Sequence, residues 1–348
     1  MAKKVTLKDV AQRAGVSYQT VSKILRNQIQ VTPEVRNRVY AAVEELGYRP
    51  NITARNLRMQ SSRLIGYSWQ PDRQNYFNPV LEQFEQSIVE AAEELGYHIL
   101  LFPQRRGKDL AETYRDLVVT GRVDGFILSS LEFNDPRIPI LQKLKVPLVA
   151  FGRSESDQPF VSVDVDGGAG LYAATTHLIE QNHRRIAALA WPEQSRVGQE
   201  RLSGYLEAMH AAGLPIDPAW IVRDTRQFDY GYSATHALLD RPLDRRPTAV
   251  VTVLDLIAIG AMRAIEERGL TVGRDVAVTG FDDMPLLYFL KPGLTTLRQP
   301  VWDVGQQVVQ LLVQMLQGEE PATHQLLLPP QLLIRESSLG YTPSEAAL

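Results

Sequence analysis

The residues best suited to bind another molecule lie near the beginning of the chain, between Tyr18 and Lys23. Tyr18 and Ser22 are four residues apart, and Gln19 and Lys23 have the same spacing. In a helix these four side chains would therefore share one face. Glutamine pairs bidentately with adenine, lysine reaches guanine O6 and N7, and tyrosine or serine contacts bases or phosphates. The pattern predicts a face that reads DNA, and the alternative is an ordinary solvated helix face.

The charge distribution favours the first interpretation. The chain has 348 residues and a net charge of −3. Residues 1–62 contain 11 lysines and arginines against 4 aspartates and glutamates, a net charge of +7, whereas the remainder carries −10. A small basic segment joined to an acidic body indicates a polyanion-binding module on a body with a different task. A chance cluster of solvated charges is the alternative.

Short helices must position this face. Thr6 and Asp9 have the spacing of a capping box, which predicts a helix over residues 7–14. Ser17 is suited to cap a second helix, residues 18–25, after a tight turn. Two helices joined in this way have the spacing of a helix-turn-helix, whose second helix enters the major groove of DNA.

A third helix and a hinge follow. Thr32 and Pro33 have the residue types of an N-cap and a first helical position, and Gly47 is suited to end that helix. Residues 51–58 are long enough for two helical turns, which are marginal without a partner because helix nucleation is costly. Residues 59–63 are predicted to be a linker.

From Leu64 onward the pattern changes to strands that alternate with amphipathic helices, in two successive series. This alternation predicts two doubly wound lobes, each with a parallel sheet covered on both faces. Late strands near residues 295–300 and 326–336, with a helix at residues 302–317 between them, are expected to return and complete the lobes. Ligands are expected at the carboxyl ends of the strands, where the lobes face each other.

Enzyme chemistry has no support in the sequence. The chain has no cysteine, which excludes disulfides, iron–sulfur clusters, thiolate zinc sites and cysteine nucleophiles. We find no GxSxG, P-loop, HExxH or GxGxxG motif, and the six histidines are scattered without metal-ligand spacing. The sequence therefore predicts that the protein is not an enzyme and uses no metal or cofactor.

Two further features concern anions and membranes. The segment DVDGGAG, residues 164–170, opens a predicted helix and could hold an anion, although tight packing at a crossover between lobes is the interpretation we favour. There is no run of about 18 apolar residues and no apolar segment after the N-terminal lysines. We therefore expect a cytoplasmic protein without membrane contact.

The N-terminal segments VTLKDVAQRAGVSYQTVSKIL and VTPEVRNRVYAAVEELGYRPNITARNLR resemble the DNA-binding end of the lactose-repressor and galactose-repressor (LacI/GalR) family of bacterial transcription regulators. The resemblance implies that Tyr18, Gln19 and Lys23 read bases, although position 23 is more often arginine in the family. It also implies a hinge helix in the minor groove, with Leu57 as a wedge between base pairs. The DNA-binding positions predicted in this way are Thr6, Ser17, Tyr18, Gln19, Thr20, Ser22, Lys23, Asn27, Thr32, Asn51, Ala54, Arg55 and Leu57.

The resemblance continues to about Ser337, through the segments HLIEQNHRRIA, RLSGY, DLIAIGAMRAI, TGFDD and LTTLRQP. It implies an effector domain with the fold of periplasmic sugar-binding proteins, in which Arg201 and Asp282 bind the effector from opposite lobes. The alternative for these two residues is a simple interlobe ion pair. The effector-binding positions predicted in this way are Gln70, Phe77, Arg153, Arg201, Phe228, Asp255 and Asp282.

One departure from the family concerns specificity. Many sugar-responding members have Asn-Asp where this chain has Leu254-Asp255, so an apolar group replaces a hydroxyl-binding amide. A different or less polar effector is therefore possible.

Together these observations predict a helix-turn-helix domain over residues 1–50, a hinge and linker over 51–63, and a two-lobed effector-binding and dimerisation domain over 64–340. The expected function is that of a homodimeric repressor, released from a pseudopalindromic DNA operator by a sugar-like effector. Three alternatives stay open at this point: a purine or phosphorylated effector, a ligand that is needed for DNA binding, and, from another class, a solute-binding protein or sugar-processing enzyme.

Overall fold

The computed structural model describes residues 5–25, 28–49, 61–69, 78–104, 108–155, 159–225 and 227–341. The chain divides into two compact units between Ser62 and Arg63. We refer to them as the head and the body and describe each one by itself.

Helices in the head begin and end at the residues that their capping chemistry predicts. The backbone N–H of Thr6 donates to Oδ2 of Asp9 at 2.7 Å, which confirms the predicted pairing at the start of the first helix. Gly15, at φ +66°, ends that helix in the left-handed conformation that glycine adopts without strain. The helices of the described head are α1 (Leu7–Ala14), α2 (Tyr18–Ile24) and α3 (Pro33–Glu45).

One apolar cluster holds these helices together. Every helix contributes its inward positions, as the spacing of apolar residues predicts. Burying each valine or isoleucine contributes about 1.5–3 kcal/mol, so a few such residues suffice for a small helical unit. The buried members of the cluster are Val10, Ala11, Ala14, Val21, Ile24, Val39, Ala42 and Tyr48.

The first lobe of the body is built on a six-stranded sheet. Its strands are β1 (Leu64–Trp69), β2 (His98–Pro103), β3 (Gly125–Leu128), β4 (Leu148–Phe151), β5 (Val161–Val165) and β11 (Gln325–Leu328). All strand pairs in this sheet are parallel, and the strand order is β11-β5-β4-β3-β1-β2. The helices are α4 (Pro79–Glu94), α5 (Lys108–Val119), α6 (Arg137–Leu144) and α11 (Val301–Leu316).

Helices cover both faces of this sheet. On one face, Phe84 of α4 and Val308 of α11 pack with Ile65 in a buried cluster. On the other face, Tyr114 of α5 and Ile138 of α6 belong to a second cluster. Because both faces are covered, strands such as β3 and β4 are apolar along their whole length, as the sequence indicated.

The second lobe contains a smaller parallel sheet and an antiparallel strand pair. The strands are β6 (Ile186–Ala190), β7 (Ile221–Arg223), β8 (Ala249–Thr252), β9 (Ala277–Thr279), β10 (Thr296–Arg298) and β12 (Gln331–Leu333). The parallel sheet has the order β7-β6-β8-β9, and β10 pairs with β12. The helices are α7 (Gly167–Glu180), α8 (Arg196–Ala211), α9 (Phe228–Leu239) and α10 (Asp255–Glu267), with 3₁₀ helices at Pro218–Trp220, Pro285–Phe289 and Glu336–Ser338.

Within the described residues the chain crosses between the lobes three times, after β5, after β10 and after β11. The predicted fold class is confirmed for the helical head and the two-lobed α/β body, whereas the predicted hinge helix over residues 51–58 lies outside the described residues. The glycine-rich segment packs closely at the first crossover, since a Cβ at Gly170 of α7 would lie only 2.8 Å from Cγ of Pro330, which lies at the third crossover between β11 and β12. Asp166 caps the same helix start through the N–H of Ala169 at 2.8 Å, so the interpretation as a packing element agrees with the structure.

Three elements differ from the prediction. Strands β5 and β7 were not predicted, because VSVDV mixes polar and apolar residues and IVR is only three residues long. The sequence pattern predicts a helix over residues 201–212, but helix α8 begins at Arg196, because the N-cap Ser195 accepts a hydrogen bond from the N–H of Gly198 at 3.1 Å. The earlier start matters for function, because it places Arg196 and Glu200 on the same helix as Arg201.

Candidate functional site

The start of α2 is fixed by its own side chains. The Oγ atom of Ser17 accepts a hydrogen bond from the backbone N–H of Thr20 at 3.0 Å, and the two hydroxyl oxygens are 2.8 Å apart. Val21 and Ile24 are fully buried on the inner side of the helix. The helix is therefore anchored at its N-terminus and along one face, which leaves the opposite face for contacts with another molecule.

That outer face has the composition predicted from the sequence. Tyr18, Gln19 and Lys23 are exposed, and Ser22 and Thr20 are half-buried. A polar, hydrogen-bonding surface with a cationic residue suits the edges of bases in a major groove.

Exposed hydroxyl residues mark the beginning of each helix in the described head. Thr6, Ser17 and Thr32 are the N-caps of α1, α2 and α3. Helix N-termini of this kind are common contacts for DNA phosphates, since their N–H groups and dipoles favour negative charge. The predicted DNA-binding residues that lie outside the described residues are Asn27, Asn51, Ala54, Arg55 and Leu57.

A cavity of about 240 Å³ lies between the two lobes of the body. Its wall combines apolar side chains with a few charged groups, the composition usual for small-molecule sites. Residues of the first lobe in this wall include Ser130, Leu131, Phe151, Arg153 and Asp164. Residues of the second lobe include Trp191, Glu200, Arg201, Gln227, Leu254, Asp282, Met284 and Gln299.

Arg201 is the most constrained of these side chains. It is 6% exposed, and its Nη1 donates to the carbonyl oxygen of Val253 at 2.6 Å. The guanidinium carbon lies 3.6 Å from the ring centroid of Phe281 and 5.3 Å from that of Trp191. Cation–π contacts on these rings hold the guanidinium plane in one orientation at the cavity wall.

Asp282 lies beside Arg201 on an unusual backbone. Its φ of +119° is rare for a residue other than glycine, and such strain often marks a functional position. Its Oδ1 accepts a hydrogen bond from Nε2 of Gln299 at 2.5 Å. Burial raises the pKa of Asp282 to about 6, although Arg201 and Gln299 act in the opposite direction.

The expectation that Arg201 and Asp282 bind from opposite lobes is wrong. Arg201 lies on α8 and Asp282 follows β9, and both elements belong to the second lobe. Parallel strands of one sheet end at the same edge, so the segments that follow β6 and β9 meet there although they are distant in the sequence. The two residues do come together, as an ion pair within one lobe.

The contacts that do cross the cleft involve Arg153, which is at the cavity as predicted. Its Nε donates to Oδ2 of Asp164 at 3.0 Å within the first lobe. Its Nη2 forms an ion pair with Glu200 of the second lobe. In return, Nη1 of Arg196 in the second lobe lies 3.6 Å from Oδ2 of Asp164. Arg196 and Glu200 pair with each other at 3.2 Å, so the four side chains form a closed ring of alternating charge.

Asp255 is placed beneath the cavity wall instead of on it. It is completely buried, and its Oδ2 accepts a hydrogen bond from the backbone N–H of Met284 at 2.9 Å. Its Oδ1 accepts from the hydroxyl of Thr296 at 2.5 Å. Burial and the nearby Asp282 raise the pKa of Asp255 well above its usual value. The carboxyl group therefore anchors the turn that carries Asp282, because both of its oxygens already have protein partners.

The aromatic positions predicted for the pocket have different outcomes. The ring of Phe228 is 40% exposed and stacks on Tyr232 at a centroid distance of 6.5 Å, while its neighbour Gln227 lines the cavity. The residue that lines the cavity at the start of α9 is therefore one position earlier than the predicted one. Gln70 and Phe77 lie outside the described residues.

Several cavity residues were missed in the sequence. Asp164 and Gln299 line the cavity and lie in the segments DVDGGAG and LTTLRQP, but neither segment pointed to a role in the pocket. Trp191 and Glu200 lie outside every segment noted in the sequence, and their positions after a strand and early in a helix are the signal that could have found them. Leu254, noted as a departure from the family, does lie in the cavity wall.

A buried ion pair supports the first lobe's part of the wall. Arg137 is 1% exposed and pairs with Asp135 at 2.7 Å. Its Nη2 also donates to the carbonyl oxygens of Ser129 at 2.9 Å and Ser130 at 3.2 Å. These bonds fix the loop that brings Ser130 and Leu131 to the cavity.

Family profiles match both units of the chain. A profile for bacterial regulatory proteins of the lacI family matches residues 6–51, and one for a periplasmic binding protein-like domain matches residues 175–338. The HTH-type transcriptional repressor CytR of Escherichia coli K12 is 34% identical over 335 residues, 96% of each chain. The repressor PurR of Escherichia coli O139:H28 is 31% identical over 334 residues, 95% of this chain and 96% of PurR.

Solved structures agree with these matches. A lacI-family regulatory protein from Chloroflexus aggregans is 48% identical, with a TM-score of 0.75 over 80% of this chain and 99% of that protein. The lac repressor dimer bound to operator and the anti-inducer ONPF is 31% identical, with a TM-score of 0.81 over 97% and 100% of the two chains. The CelR–cellobiose complex is 33% identical, with a TM-score of 0.72 over 96% and 100%.

The fold and the site define a class, that of DNA-binding regulators with a helix-turn-helix head and a periplasmic-binding-protein-like effector body. The chain belongs to the lacI family of bacterial regulatory proteins, as its resemblance predicted, and is a transcription regulator, not an enzyme. In the part of the chain that the structure describes, no helix has the length and apolar character needed to cross a bilayer.

Proposed function

We propose that the protein is a homodimeric repressor, released from a pseudopalindromic operator when a sugar-like effector binds in the cleft between the lobes of the body. The observation that carries the proposal is the combination of an anchored helix with a polar outer face and a largely apolar cavity whose wall contains the ion pair of Arg201 and Asp282. The helix provides a DNA contact, and the cavity provides a site where a bound small molecule can change how the two lobes are arranged.

On DNA, we assign base reading to Tyr18, Gln19 and Lys23, with Gln19 suited to adenine and Lys23 to guanine. Ser22 is assigned to bases or phosphates. The N-cap hydroxyls of Thr6, Ser17 and Thr32, together with Thr20 and Asn27, are assigned to phosphates. The solved lac repressor bound to operator supports this arrangement by analogy of fold. The hinge segment, with Asn51, Ala54, Arg55 and Leu57, is assigned to the minor groove on the basis of the family resemblance alone.

In the cleft, the effector is proposed to bridge Arg201 and Asp282. A guanidinium and a carboxylate 3.9 Å apart suit two neighbouring hydroxyl groups, which accept hydrogen bonds from Arg201 and donate them to Asp282. The ring of Trp191 offers an apolar surface beside them, as sugar sites often do. The cellobiose complex of CelR supports a carbohydrate ligand in this fold. Arg153 remains assigned to the pocket, as do Gln70 and Phe77 on the basis of the family resemblance alone, whereas Gln227 takes the place that was predicted for Phe228.

A second copy of the chain is the proposed partner of one exposed apolar surface. Leu286, Tyr288 and Phe289, in the 3₁₀ helix Pro285–Phe289, are 45%, 83% and 84% exposed. Adjacent aromatic and aliphatic side chains at such exposure are typical of interfaces. The similar lac repressor is a dimer, so self-association is the interaction that we assign to this surface.

The experiment for this function is selection of DNA from a random library by the full-length protein, followed by footprinting. The expected result is an enriched site with two related half-sites in opposite orientation, because a two-fold dimer presents two equivalent recognition helices. Enrichment of a single asymmetric half-site, bound by a monomer with full affinity, would contradict the proposal.

The effector is tested on the same DNA. A thermal-shift panel of mono- and disaccharides, purines and sugar phosphates identifies ligands of the body, and each ligand is then added to the protein–operator complex. Release by a sugar supports the proposal. Tighter operator binding would make the ligand a corepressor, and a shift by a purine alone would overturn the sugar assignment.

A further inference from the structure

Three arginines surround the cleft, and a cationic cleft would ordinarily attract a phosphorylated ligand. Here, however, the same region contains three carboxylates within ion-pair distance of them. The net charge of the group is therefore zero when all six are ionised. The cations and anions concerned are Arg153, Arg196, Arg201, Asp164, Glu200 and Asp282.

Four of these residues form the ring that spans the two lobes. Asp164 accepts from Arg153 at 3.0 Å and lies 3.6 Å from Arg196. Glu200 accepts from Arg196 at 3.2 Å and also pairs with Arg153. The side chains are between 10% and 21% exposed, so their interactions are only partly screened by water. Each guanidinium thus faces both carboxylates.

The nearest helix N-terminus is also occupied by a carboxylate. Gly167 lines the cavity and begins α7, where free N–H groups and the helix dipole would favour an anion. Oδ1 of Asp166 accepts from the N–H of Ala169 at 2.8 Å, so the helix start has its own anion. The N-terminus of α7, like the arginines of the cleft, is therefore already paired with a carboxylate of the protein itself.

We infer that Asp164 and Glu200 determine the charge of the effector: by holding Arg153 and Arg196 they exclude phosphorylated and carboxylated ligands and restrict the cleft to uncharged molecules. The inference rests on the proposed role of the cleft as the effector site and narrows the class of ligand that the site accepts.

The physical reason is competition for the two guanidinium groups. A phosphate that approached Arg153 would meet Asp164 and Glu200, which are already within bonding distance and cannot leave the wall without opening the ring. Like charges brought together in a partly buried site repel strongly. A neutral hydroxyl can bond to the edge of the ring without changing its charge balance. The site would thus gain its specificity by disfavouring charged ligands, and not by binding neutral ligands more tightly.

The test removes one carboxylate without changing its size. Glu200→Gln leaves Arg153 and Arg196 with an excess positive charge, whereas Glu207→Gln removes the same charge from an exposed position on the same helix. Binding of inorganic phosphate to each full-length protein is measured by calorimetry in a phosphate-free buffer without DNA. We expect wild type and Glu207→Gln to bind phosphate weakly or without saturation. We expect Glu200→Gln to bind it at least about tenfold more tightly, since a charged hydrogen-bond partner becomes available.

A second pair of variants keeps the test independent of one substitution. Asp164→Asn should also gain phosphate binding, and adding Arg153→Gln to Glu200→Gln should remove the gain. Cooperative thermal melting shows which variants are folded. If either carboxylate variant is folded and shows no gain over wild type, the inference is overturned. If neither is folded, the wild type decides: saturable phosphate binding would overturn the inference, and its absence up to millimolar phosphate would support it.

Failure of this inference is distinguishable from failure of the proposed function. Operator binding and the neutral-sugar panel are measured on the same wild-type preparation without phosphate. A wild type that binds operator and responds to a sugar, yet binds phosphate in the cleft, would retain its function and refute the exclusion of anions.

Discussion

Nη1 of Arg201 lies 3.9 Å from Oδ1 of Asp282, and both residues belong to the second lobe. The ion pair that we assign to the effector is therefore preformed on one side of the cleft. The other side contributes Arg153 and Asp164, which bond across the cleft to α8. An effector can thus bind first to the second lobe and then influence closure through the ring, which couples ligand binding to lobe arrangement.

Replacing either member of this pair should abolish effector binding but not operator binding. Arg201→Ala and Asp282→Asn each leave the other group underpaired in a buried site, so a loss of about 2–5 kcal/mol in effector affinity is expected. Arg263→Ala, which removes an arginine that is 58% exposed on α10, is the control. Calorimetry with the sugar found in the thermal-shift panel measures the effect. Unchanged affinity in both variants would place the sensor pocket elsewhere.

Asp282 should also give the stability of the body a specific pH dependence. Burial raises the pKa of this carboxyl from its ordinary value of 3.8 to about 6. The folded state therefore binds the proton more tightly than the unfolded state. The contribution of Asp282 to the free energy of unfolding is accordingly greatest below about pH 4 and is lost as the pH rises to about 6.

Chemical denaturation between about pH 4 and pH 7 measures this contribution. In wild type the free energy of unfolding should fall as the pH rises over this range. Asp282→Asn should reduce that fall by up to about 2–3 kcal/mol, the free-energy equivalent of a pKa change of about two units. Asp303→Asn, an exposed position on α11, controls for the change in net charge. An identical fall in wild type and Asp282→Asn would show that the buried carboxyl does not titrate in this range.

Base reading by α2 predicts a position-specific defect. Gln19→Ala and Lys23→Ala should each relax the preference at one base position, by about 1–3 kcal/mol. Thr32→Ala, at a position assigned to phosphate, should instead weaken binding to every sequence about equally. Quantitative binding to a randomised operator library distinguishes the two patterns. A uniform loss for Gln19→Ala would remove its base-reading role.

The exposed aromatic surface predicts how the protein assembles. Tyr288→Lys places a charge where a second copy is proposed to pack, so the dimer should dissociate at concentrations at which wild type remains paired. Leu243→Lys, an equally apolar position that is 69% exposed in the same lobe, is the matched control. Sedimentation velocity gives the masses. A dimer of undiminished stability in Tyr288→Lys would assign self-association to another surface.

The parts of the fold that depend on local chemistry could be predicted from the sequence. The helices of the head follow from Thr6, Ser17 and Gly15, because caps and left-handed turns act over a few residues. The two lobes could be predicted as well, because the alternation of apolar strands and amphipathic helices is visible in short stretches of sequence. Strand β7 was missed because its three residues are too few to show a period.

The candidate site depends on contacts that the sequence does not encode locally. Nothing near Glu200 or Arg153 indicates that they pair across a cleft, since a pairing of this kind exists only once both lobes are folded. The family resemblance led us to expect Arg201 and Asp282 in opposite lobes, but the parallel sheet of the second lobe brings both segments to the same edge. Likewise, Asp255 begins a helix in the expected motif, yet only packing shows that Met284 and Thr296 occupy its oxygens.

If a molecule bound in the cleft controls operator binding, operator titration with and without the identified sugar must show it. We expect saturating sugar to weaken operator binding by wild type at least about tenfold, a coupling of about 1.4 kcal/mol. Arg201→Ala should bind the operator as wild type does and should not respond to that sugar concentration. Equal release of both proteins, or no response in wild type to any ligand that stabilises the body, would show that the cleft does not control operator binding.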